Sequence, residues 1–235
     1  MRAVILAAGE SRRLGDITRD IPKCVLEVGG RTLLDHQTAS LRAVGIDGIT
    51  VVTGHADAVL RESGGPTLDY ILNADYASTN SIYSLWLARE AAVGGFVLMN
   101  GDVLFDPRLL ERLIADPRED VLAYDPTSVL EEEEMKLRLD GDRVVEMSKE
   151  LPGASSDGEN VGVLKFGAEG TAALFAELED IIGEGTVKTW APFAFDRLCR
   201  KRPLHAMPTD GLPWIEIDFP EDLEQARNEV WPRIG

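Results

Sequence analysis

The chain has 235 residues, of which 44% are hydrophobic and 28% are charged, and its formal net charge is −17. This composition is typical of a globular protein with a complete core, and we expect one domain rather than two small ones. The acidic excess repels nucleic acid and anionic lipid surfaces, so we expect neither as a partner. A phosphate-bearing ligand would then need locally concentrated cations or a divalent metal ion.

Two cysteines and one short apolar run bear on the cellular compartment. Cys24 and Cys199 are too few for a disulfide framework and stand in no zinc-binding spacing. Cys24 lies in an apolar stretch, which favours a small core residue over a reactive thiol. The first apolar run, of about six residues, is too short for the core of a signal peptide or for a membrane span. We therefore expect a cytoplasmic location.

The first predicted element is a buried strand that ends in a loop suited to phosphates. The apolar run over 3–8 fits a strand covered on both faces, as in parallel sheets. Gly9 then lets the backbone turn and approach a ligand, so that amide groups of the loop can point at anionic oxygens. Arg13 and Lys23 add two positive charges. This arrangement favours a nucleoside triphosphate as the ligand.

Spacing excludes two better-known phosphate loops. A P-loop requires Gly-x-x-x-x-Gly-Lys-Ser/Thr, whereas Gly9 and Gly15 are spaced differently and Asp16 stands where the lysine would be. The three-glycine dinucleotide fingerprint is absent because Ser11 takes the place of its second glycine, which argues against an NAD-linked oxidoreductase. An ordinary surface turn remains the alternative interpretation of the loop.

Strands and helices alternate through the rest of the first half. Apolar residues at helical spacing predict helices, and short apolar or β-branched runs closed by turn residues predict strands. The predicted elements are a helix over 33–44, a strand over 49–53, a helix over 56–62, a strand over 68–72, a helix over 81–92 and a strand over 96–99. This alternation predicts an α/β fold with a mainly parallel sheet and right-handed crossovers.

The second half predicts antiparallel structure beside further helices. Charged and apolar residues alternate over 136–139 and return over 143–147 after a turn sequence, which predicts a hairpin. The other predictions are a flexible loop over 152–159, a strand over 162–166, helices over 171–182 and 191–201, a strand over 214–218 and a helix from residue 220. We interpret the acidic run over 131–134 as a solvated turn or helix start. We expect one domain over 1–235, with a nucleotide-binding half of about 1–125 and an acceptor-binding half of about 126–235.

Two aspartates follow predicted strands and could share a metal ion. Asp102 comes just past a buried strand, where ligands bind in open α/β sheets, and Gly101 beside it leaves the approach clear. Asp218 ends the strand that begins at Trp214. If the sheet brings these ends together, the two carboxylates could hold Mg²⁺ against the phosphates. The alternatives are a turn role for Asp102 and a helix N-cap role for Asp218.

The opening loop resembles that of a known enzyme family. Leu6-Ala7-Ala8-Gly9-x-Ser11-x-Arg13-Leu14, followed by Pro22-Lys23, resembles the signature of the nucleotidyltransferases that make sugar nucleotides and related activated alcohols. Residues 75–85 and 214–218 resemble the branch that contains the bacterial phosphocholine cytidylyltransferases. The resemblance runs from Met1 to about Ala226. It implies a three-layer α/β/α, Rossmann-like fold of the nucleotide-diphospho-sugar transferase type, with a mixed, mainly parallel sheet and a small antiparallel ribbon on the acceptor side.

The resemblance also implies a role for each matching residue. Arg13 and Lys23 would neutralise the leaving pyrophosphate, and Lys149 would act near the acceptor phosphate. Asp102 and Asp218 would hold Mg²⁺, with Glu216 as a third acidic contributor or an acceptor ligand. The nucleotide would be bound by Leu6, Ala7, Ala8, Gly9, Glu10, Ser11, Arg13, Lys23, Ser78, Asn80 and Gly101, and the acceptor by Asn80, Tyr83, Lys149, Trp190 and Glu216.

The implied reaction is an in-line displacement. An anionic oxygen of the acceptor's phosphate or phosphonate attacks the α-phosphorus of CTP and releases pyrophosphate, so no general base is needed. Two positions depart from the family pattern. Ser11 stands where many relatives have glycine, and the segment over 189–192 replaces an aromatic-aromatic-acid stretch near the acceptor's substituent. Trp190 could face a quaternary ammonium, but the accompanying carboxylate is missing, so choline, aminoethylphosphonate, other phosphorylated alcohols and sugar phosphates all stay open.

We therefore expect an enzyme, a cytidylyltransferase that joins CMP from CTP to a small phosphorylated or phosphonate acceptor, such as phosphocholine or 2-aminoethylphosphonate. One alternative is a sugar-1-phosphate nucleotidyltransferase that uses UTP, dTTP, GTP or CTP. Another is a nucleotide-binding regulatory subunit without turnover, against which the joint presence of Arg13, Lys23, Asp102 and Asp218 argues. The expected partners are the triphosphate and the acceptor, and a homodimer is one assembly that we consider.

Overall fold

A nine-stranded mixed β-sheet forms the centre of the computed structural model, which describes residues 1–234. The strands are β1 (Arg2–Leu6), β2 (Glu27–Val28), β3 (Arg31–Thr32), β4 (Ile49–Thr53), β5 (Asp69–Leu72), β6 (Phe96–Asn100), β7 (Val103–Phe105), β8 (Val121–Asp125), β9 (Lys136–Asp140), β10 (Arg143–Ser148), β11 (Gly158–Phe166), β12 (His205–Pro208) and β13 (Trp214–Glu216). The helices are α1 (Leu33–Ala43), α2 (Asp57–Gly64), α3 (Ser81–Leu87), α4 (Pro107–Ala115), α5 (Ala168–Gly183), α6 (Pro192–Cys199) and α7 (Pro220–Gln225). Short 3-10 turns cover Arg12–Thr18, Lys23–Val25, Gly153–Ser155 and Trp231–Arg233, and a π turn covers Ala226–Val230.

The strand order places the amino-terminal half of the chain on one side of the sheet. The order is β5-β4-β1-β6-β11-β8-β12-β10-β9, and β5, β4, β1 and β6 are parallel to one another. β11 is antiparallel to both of its neighbours β6 and β8, and β10 is antiparallel to β9 and β12. The predicted α/β fold with a mixed sheet is confirmed, and each antiparallel pairing of this sheet involves a strand from the second half of the chain.

Helices cover both faces of the sheet because the central strands are apolar on both faces. In β1, Val4 and Leu6 pack into one core cluster, whereas Ala3 and Ile5 pack into another. The first cluster includes side chains of α3, α5 and α6, and the second includes side chains of α1, α2 and α4. This is the three-layer arrangement expected for strands that read as continuous hydrophobic runs.

Several predicted boundaries are corrected. β7, α4 and β8 were not predicted, although Asp106 caps α4 and Pro107 begins it, as in many helices. α3 ends at Leu87 rather than at residue 92, and β11 begins at Gly158, inside the predicted loop over 152–159. β13 pairs with β7 in a separate two-stranded sheet and does not join the main one.

Within residues 1–234, no helix combines the length and the apolar character that a membrane crossing requires.

Candidate active site

A cavity of about 400 Å³ opens beside the carboxyl ends of β1 and β6, where Leu6 and Asn100 line it. Ligands bind at this edge in open α/β sheets. Twelve of the residues predicted for the site lie in its wall. They are Leu6, Ala8, Gly9, Ser11, Arg13, Lys23, Asn80, Asp102, Lys149, Trp190, Glu216 and Asp218. Their individual roles stay predictions, but the structure brings them together from both halves of the chain.

The other five predicted residues do not line the cavity. Glu10 accepts a hydrogen bond from Arg12, Ser78 bonds back to Asp75 within a turn, and the Tyr83 ring stacks on Trp86. Ala7 and Gly101 are packed together behind the wall. A side chain at Gly101 would place its Cβ 3.0 Å from the Ala7 Cβ and 2.9 Å from the Leu6 carbonyl oxygen, so this glycine serves the close approach of β6 to β1.

Sequence reasoning missed a further group of lining residues. They include Asn73, Tyr76, Thr79, Ser84, Asn100, Glu133, Met135 and Asn160. Asn73 follows the predicted strand that became β5, so the carboxyl-end rule that selected Asp102 could also have selected it. The buried Asn73 amide donates to Thr79 Oγ1 at 3.1 Å and to Ser84 Oγ at 3.0 Å, which orients these hydroxyls in the wall.

The opening loop contains a left-handed residue at Ser11. Ser11 has φ 56° and ψ 40°, in the left-handed region, and its carbonyl accepts hydrogen bonds from Leu14 N at 3.1 Å and Thr18 Oγ1 at 2.9 Å. The predicted approach of a ligand to Gly9 stays a prediction, and Gly9 lines the cavity. A Cβ at Gly9 would meet no atom within 4 Å. A position with positive φ favours glycine, which accounts for the glycine expected at this position from the family pattern.

The pairing of β13 with β7 brings three carboxylates together. Glu216 lies opposite Val103, and Ile217 N donates to the Asp102 carbonyl at 3.0 Å. Carboxylate oxygens of Asp102, Glu216 and Asp218 lie within 4.8 Å of one another. The predicted meeting of Asp102 and Asp218 is thus observed, through a small separate sheet.

The alternative N-cap role of Asp218 is not observed. Asp222 instead accepts the hydrogen bonds from Asp218 N at 2.8 Å and from Phe219 N at 2.7 Å. The Asp218 side chain turns to the cavity and accepts hydrogen bonds from Arg13 and Lys23.

Lys23 lies between two of these carboxylates, those of Asp102 and Asp218. Its Nζ donates to Asp102 Oδ2 at 3.1 Å and also to Asp218 Oδ1, and only 13% of the side chain is exposed. Burial would lower the pKa of Lys23, but the charges of Asp102 and Asp218 outweigh it and raise that pKa. Burial would raise the pKa of Asp218, but Lys23 lowers it. Burial, together with the other two carboxylates, raises the pKa of Glu216 well above its usual value.

A second group of charges lies at the rim of the cavity. Arg13 donates to Asp218 at 3.0 Å and to Glu133 at 2.7 Å, and Lys149 Nζ lies 3.4 Å from the same Glu133 carboxylate. Burial would lower the pKa of Arg13, and the hydrogen bond and charge of Glu133 raise it overall. The hydrogen bond from Arg13 lowers the pKa of Glu133. The interpretation of 131–134 as only a solvated turn is therefore wrong for Glu133.

The three carboxylates fit a divalent metal ion. Mg²⁺ takes oxygen ligands and commonly uses one or two carboxylates together with substrate oxygens. Asp102, Glu216 and Asp218 offer such oxygens at one place in the wall of the cavity. Lys23 also lies there, which means that the site already combines carboxylates with a cation.

A second cavity, of about 290 Å³, adjoins the first and shares Glu133, Glu216 and Asp218 with it. Its lining is strongly acidic and includes Glu159, on β11. Burial raises the pKa of Glu159 to about 7, although a hydrogen bond with Ser128 opposes the shift.

Comparison with known proteins identifies the family of the chain. The model of the MobA-like NTP transferase domain matches residues 3–207. A protein of Streptomyces rubellomurinus named CMP-5'-(3-aminopropyl)phosphonate synthase is 38% identical over 128 residues, which are 52% of this chain and 20% of that protein. The CTP:phosphoglutamine cytidylyltransferase of Campylobacter jejuni is 24% identical over 250 residues, 95% of this chain and 98% of that protein.

The fold is also that of solved nucleotidyltransferases. The structure of the CTP:phosphocholine cytidylyltransferase of Streptococcus pneumoniae aligns with a TM-score of 0.76 at 20% identity, covering 96% of this chain and 97% of that one. The chain spans only 20% to 53% of the length of the first three curated relatives that it matches. The resemblance stated from the sequence is confirmed. The chain belongs to the family of MobA-like NTP transferase domains, whose relatives here include cytidylyltransferases.

Proposed function

We propose that this chain is a cytidylyltransferase that transfers CMP from CTP to a small phosphorylated alcohol or phosphonate and releases pyrophosphate. The observation that carries the proposal is the placement of Lys23 between Asp102 and Asp218, at the carboxyl edge of the sheet and beside the opening loop. The same place holds three carboxylates, which could bind a metal ion next to a triphosphate. Their charge is useful when a metal ion and a displaced pyrophosphate must be held together.

The names of the relatives support both substrates. The Streptomyces protein is named for a CMP-linked aminopropylphosphonate, and the Campylobacter and Streptococcus proteins are named for phosphoglutamine and phosphocholine with CTP. All three names combine a cytidine nucleotide with a small acceptor that carries a phosphate or phosphonate. We extend that combination to this chain, and we leave the substituent of the acceptor to experiment.

In the proposed reaction the chain supplies alignment and charge. Arg13 and Lys23 bind the β- and γ-phosphates and stabilise the pyrophosphate as it leaves, and Lys149 binds the acceptor's phosphate or phosphonate. The attacking oxygen of the acceptor is already anionic near neutral pH, so no residue has to remove a proton. Asp102 and Asp218, with Glu216, would hold Mg²⁺, which when bound neutralises phosphate charge.

The two halves of the chain divide these tasks in our proposal. The opening loop and the residues that follow β5, all within about 1–125, take the nucleotide. The residues from about 126 onward supply Lys149 and Trp190 for the acceptor. Glu216 and Asp218 cross this division, because β13 returns from the second half to pair with β7.

A substrate panel tests the proposal. Pyrophosphate release is measured with Mg²⁺ for each of four triphosphates against phosphocholine, 2-aminoethylphosphonate, phosphoethanolamine, glycerol phosphate and sugar phosphates, with Asp102→Ala as the inactive control. We expect release with CTP and at least one of the first four acceptors. Release only with sugar phosphates would replace the proposal by a sugar-1-phosphate nucleotidyltransferase. An absence of release across the panel would favour a protein that binds nucleotide without turnover.

A further inference from the structure

We propose that Trp190 is a positioning residue that holds Lys149 for the acceptor's phosphate, and that it is not a binding face for a cationic acceptor group. The inference rests on the proposed function, because it assigns the acceptor phosphate to Lys149. Binding of the acceptor's phosphate, and not of its substituent, would then depend on Trp190. Acceptors with charged and uncharged tails should therefore depend on this ring equally.

The contact that carries the inference joins an ammonium group to an indole ring. Lys149 Nζ lies over the Trp190 ring, 5.0 Å from its centroid, which is within the range of a cation–π interaction. The other partner of Lys149 is Glu133, at 3.4 Å. The Lys149 side chain is 21% exposed and lines the cavity, so its ammonium group is held between a ring and a carboxylate while it faces the site.

The backbone that carries Trp190 is held in place by the start of α3. Asn80 N donates to the Val187 carbonyl at 2.9 Å, and Ala191 N donates to Ser81 Oγ at 2.9 Å. These bonds lie on both sides of Trp190 in sequence, and Ala191 is buried. Trp190 itself remains 46% exposed, so its indole is not needed to fill the core. A half-exposed ring on a well-anchored segment is suited to orient a neighbouring side chain.

Charge argues against a second cation on the same face of the ring. An ammonium group of the acceptor placed there would lie within a few ångströms of Lys149 Nζ, and two like charges about 4 Å apart repel each other by about 1 kcal/mol even in water. The sequence neighbours of Trp190, Thr189 and Ala191, carry no carboxylate. The carboxylate beside Lys149, that of Glu133, is already paired with Lys149 and Arg13. The ring face that could have received a cationic tail is therefore taken by the chain's own lysine.

A double-mutant cycle with three acceptors tests the inference. The variants are Trp190→Leu, Trp190→Phe, Lys149→Met and the double variant Trp190→Leu with Lys149→Met. Phe193→Leu, which changes another exposed aromatic residue of the same segment outside the cavity, is the matched control. Each is assayed for pyrophosphate release with CTP, Mg²⁺ and phosphocholine, 2-aminoethylphosphonate or glycerol phosphate.

We expect Trp190→Leu to raise the KM of every accepted compound by the same factor, about three- to tenfold, with a smaller change in kcat. Trp190→Phe, which keeps an aromatic face, should recover part of that loss. Adding Trp190→Leu to Lys149→Met should cost nothing more, because the ring then has no ammonium group to hold. Phe193→Leu should stay within about twofold of the wild type.

Two results would overturn the inference while leaving the proposed function intact. One is a loss in Trp190→Leu confined to the cationic acceptors, which would make the ring a cation-binding face. The other is a full additional loss in the double variant, which would separate Trp190 from Lys149. No pyrophosphate release by the wild type with any acceptor would instead overturn the proposed function, and this inference with it.

Discussion

Arg13 and Asp218, separated by 205 positions in the sequence, are joined by a hydrogen bond of 3.0 Å. The bond links the opening loop after β1 to the segment that follows β13. Lys23 donates to the same aspartate, so one carboxylate orients both of the cations that we assign to the phosphates. Asp218 therefore serves as a common anchor for the positive side of the site, in addition to any metal that it holds.

The charge of Asp218 should be essential for turnover. We expect Asp218→Asn to lower kcat/KM for pyrophosphate release by at least about 100-fold, because it leaves Arg13 and Lys23 without a shared anion and weakens the metal site. The control is Asp210→Asn, which removes an exposed partner of Arg112 away from the cavity and should change kcat/KM less than about twofold. An active Asp218→Asn enzyme would show that its charge is not needed.

The Mg²⁺ concentration that activity requires should depend on Asp102. Removal of divalent ions by a chelator should abolish pyrophosphate release by the wild type, and excess Mg²⁺ should restore it. We expect Asp102→Asn to need at least about tenfold more Mg²⁺ for half-maximal activity, because it removes the charge of one of the three carboxylates that we assign to the metal. An unchanged Mg²⁺ requirement would remove Asp102 from the metal site.

Residues that line this cavity could be selected from the sequence where the signal is a local pattern. The apolar run ending at Gly9 and the aspartate after β6 could be read because a strand and its carboxyl end are local features. Glu133 could not, because its role depends on a loop that crosses to Arg13, 120 positions away. The pairing of β13 with β7 could not be predicted from the sequence either, because β7 has only three residues and shows no periodic pattern.

Glu133 should compete with substrate phosphates for Arg13 and Lys149. We expect Glu133→Gln to bind inorganic pyrophosphate up to about fivefold more tightly than the wild type, because an exposed ion pair contributes at most about 1 kcal/mol. Isothermal titration calorimetry at low salt measures the difference, which should shrink as salt is added. Glu132→Gln is the matched control, since Glu132 is exposed and forms no ion pair within residues 1–234. Weaker pyrophosphate binding by Glu133→Gln would show that Glu133 supports the anion site instead.

The free energy of unfolding should depend on pH through Glu159. Burial and the charges of Glu134 and Asp125 raise the pKa of Glu159, whereas Ser128 and the charge of Lys149 lower it. Because its pKa is raised to about 7 in the folded protein and is about 4.3 in an unfolded chain, the folded state holds the extra proton. Stability is therefore lost as pH rises from about 4.3 to 7, and the loss persists above that range. We expect Glu159→Gln to raise the free energy of unfolding by about 1–2 kcal/mol at pH 8 and to leave it almost unchanged at pH 4.5. Urea unfolding at both pH values measures this, with the exposed Glu150→Gln as the control that should show no such difference. An equal effect of Glu159→Gln at both pH values would mean that the substitution acts through packing and not through the charge of Glu159.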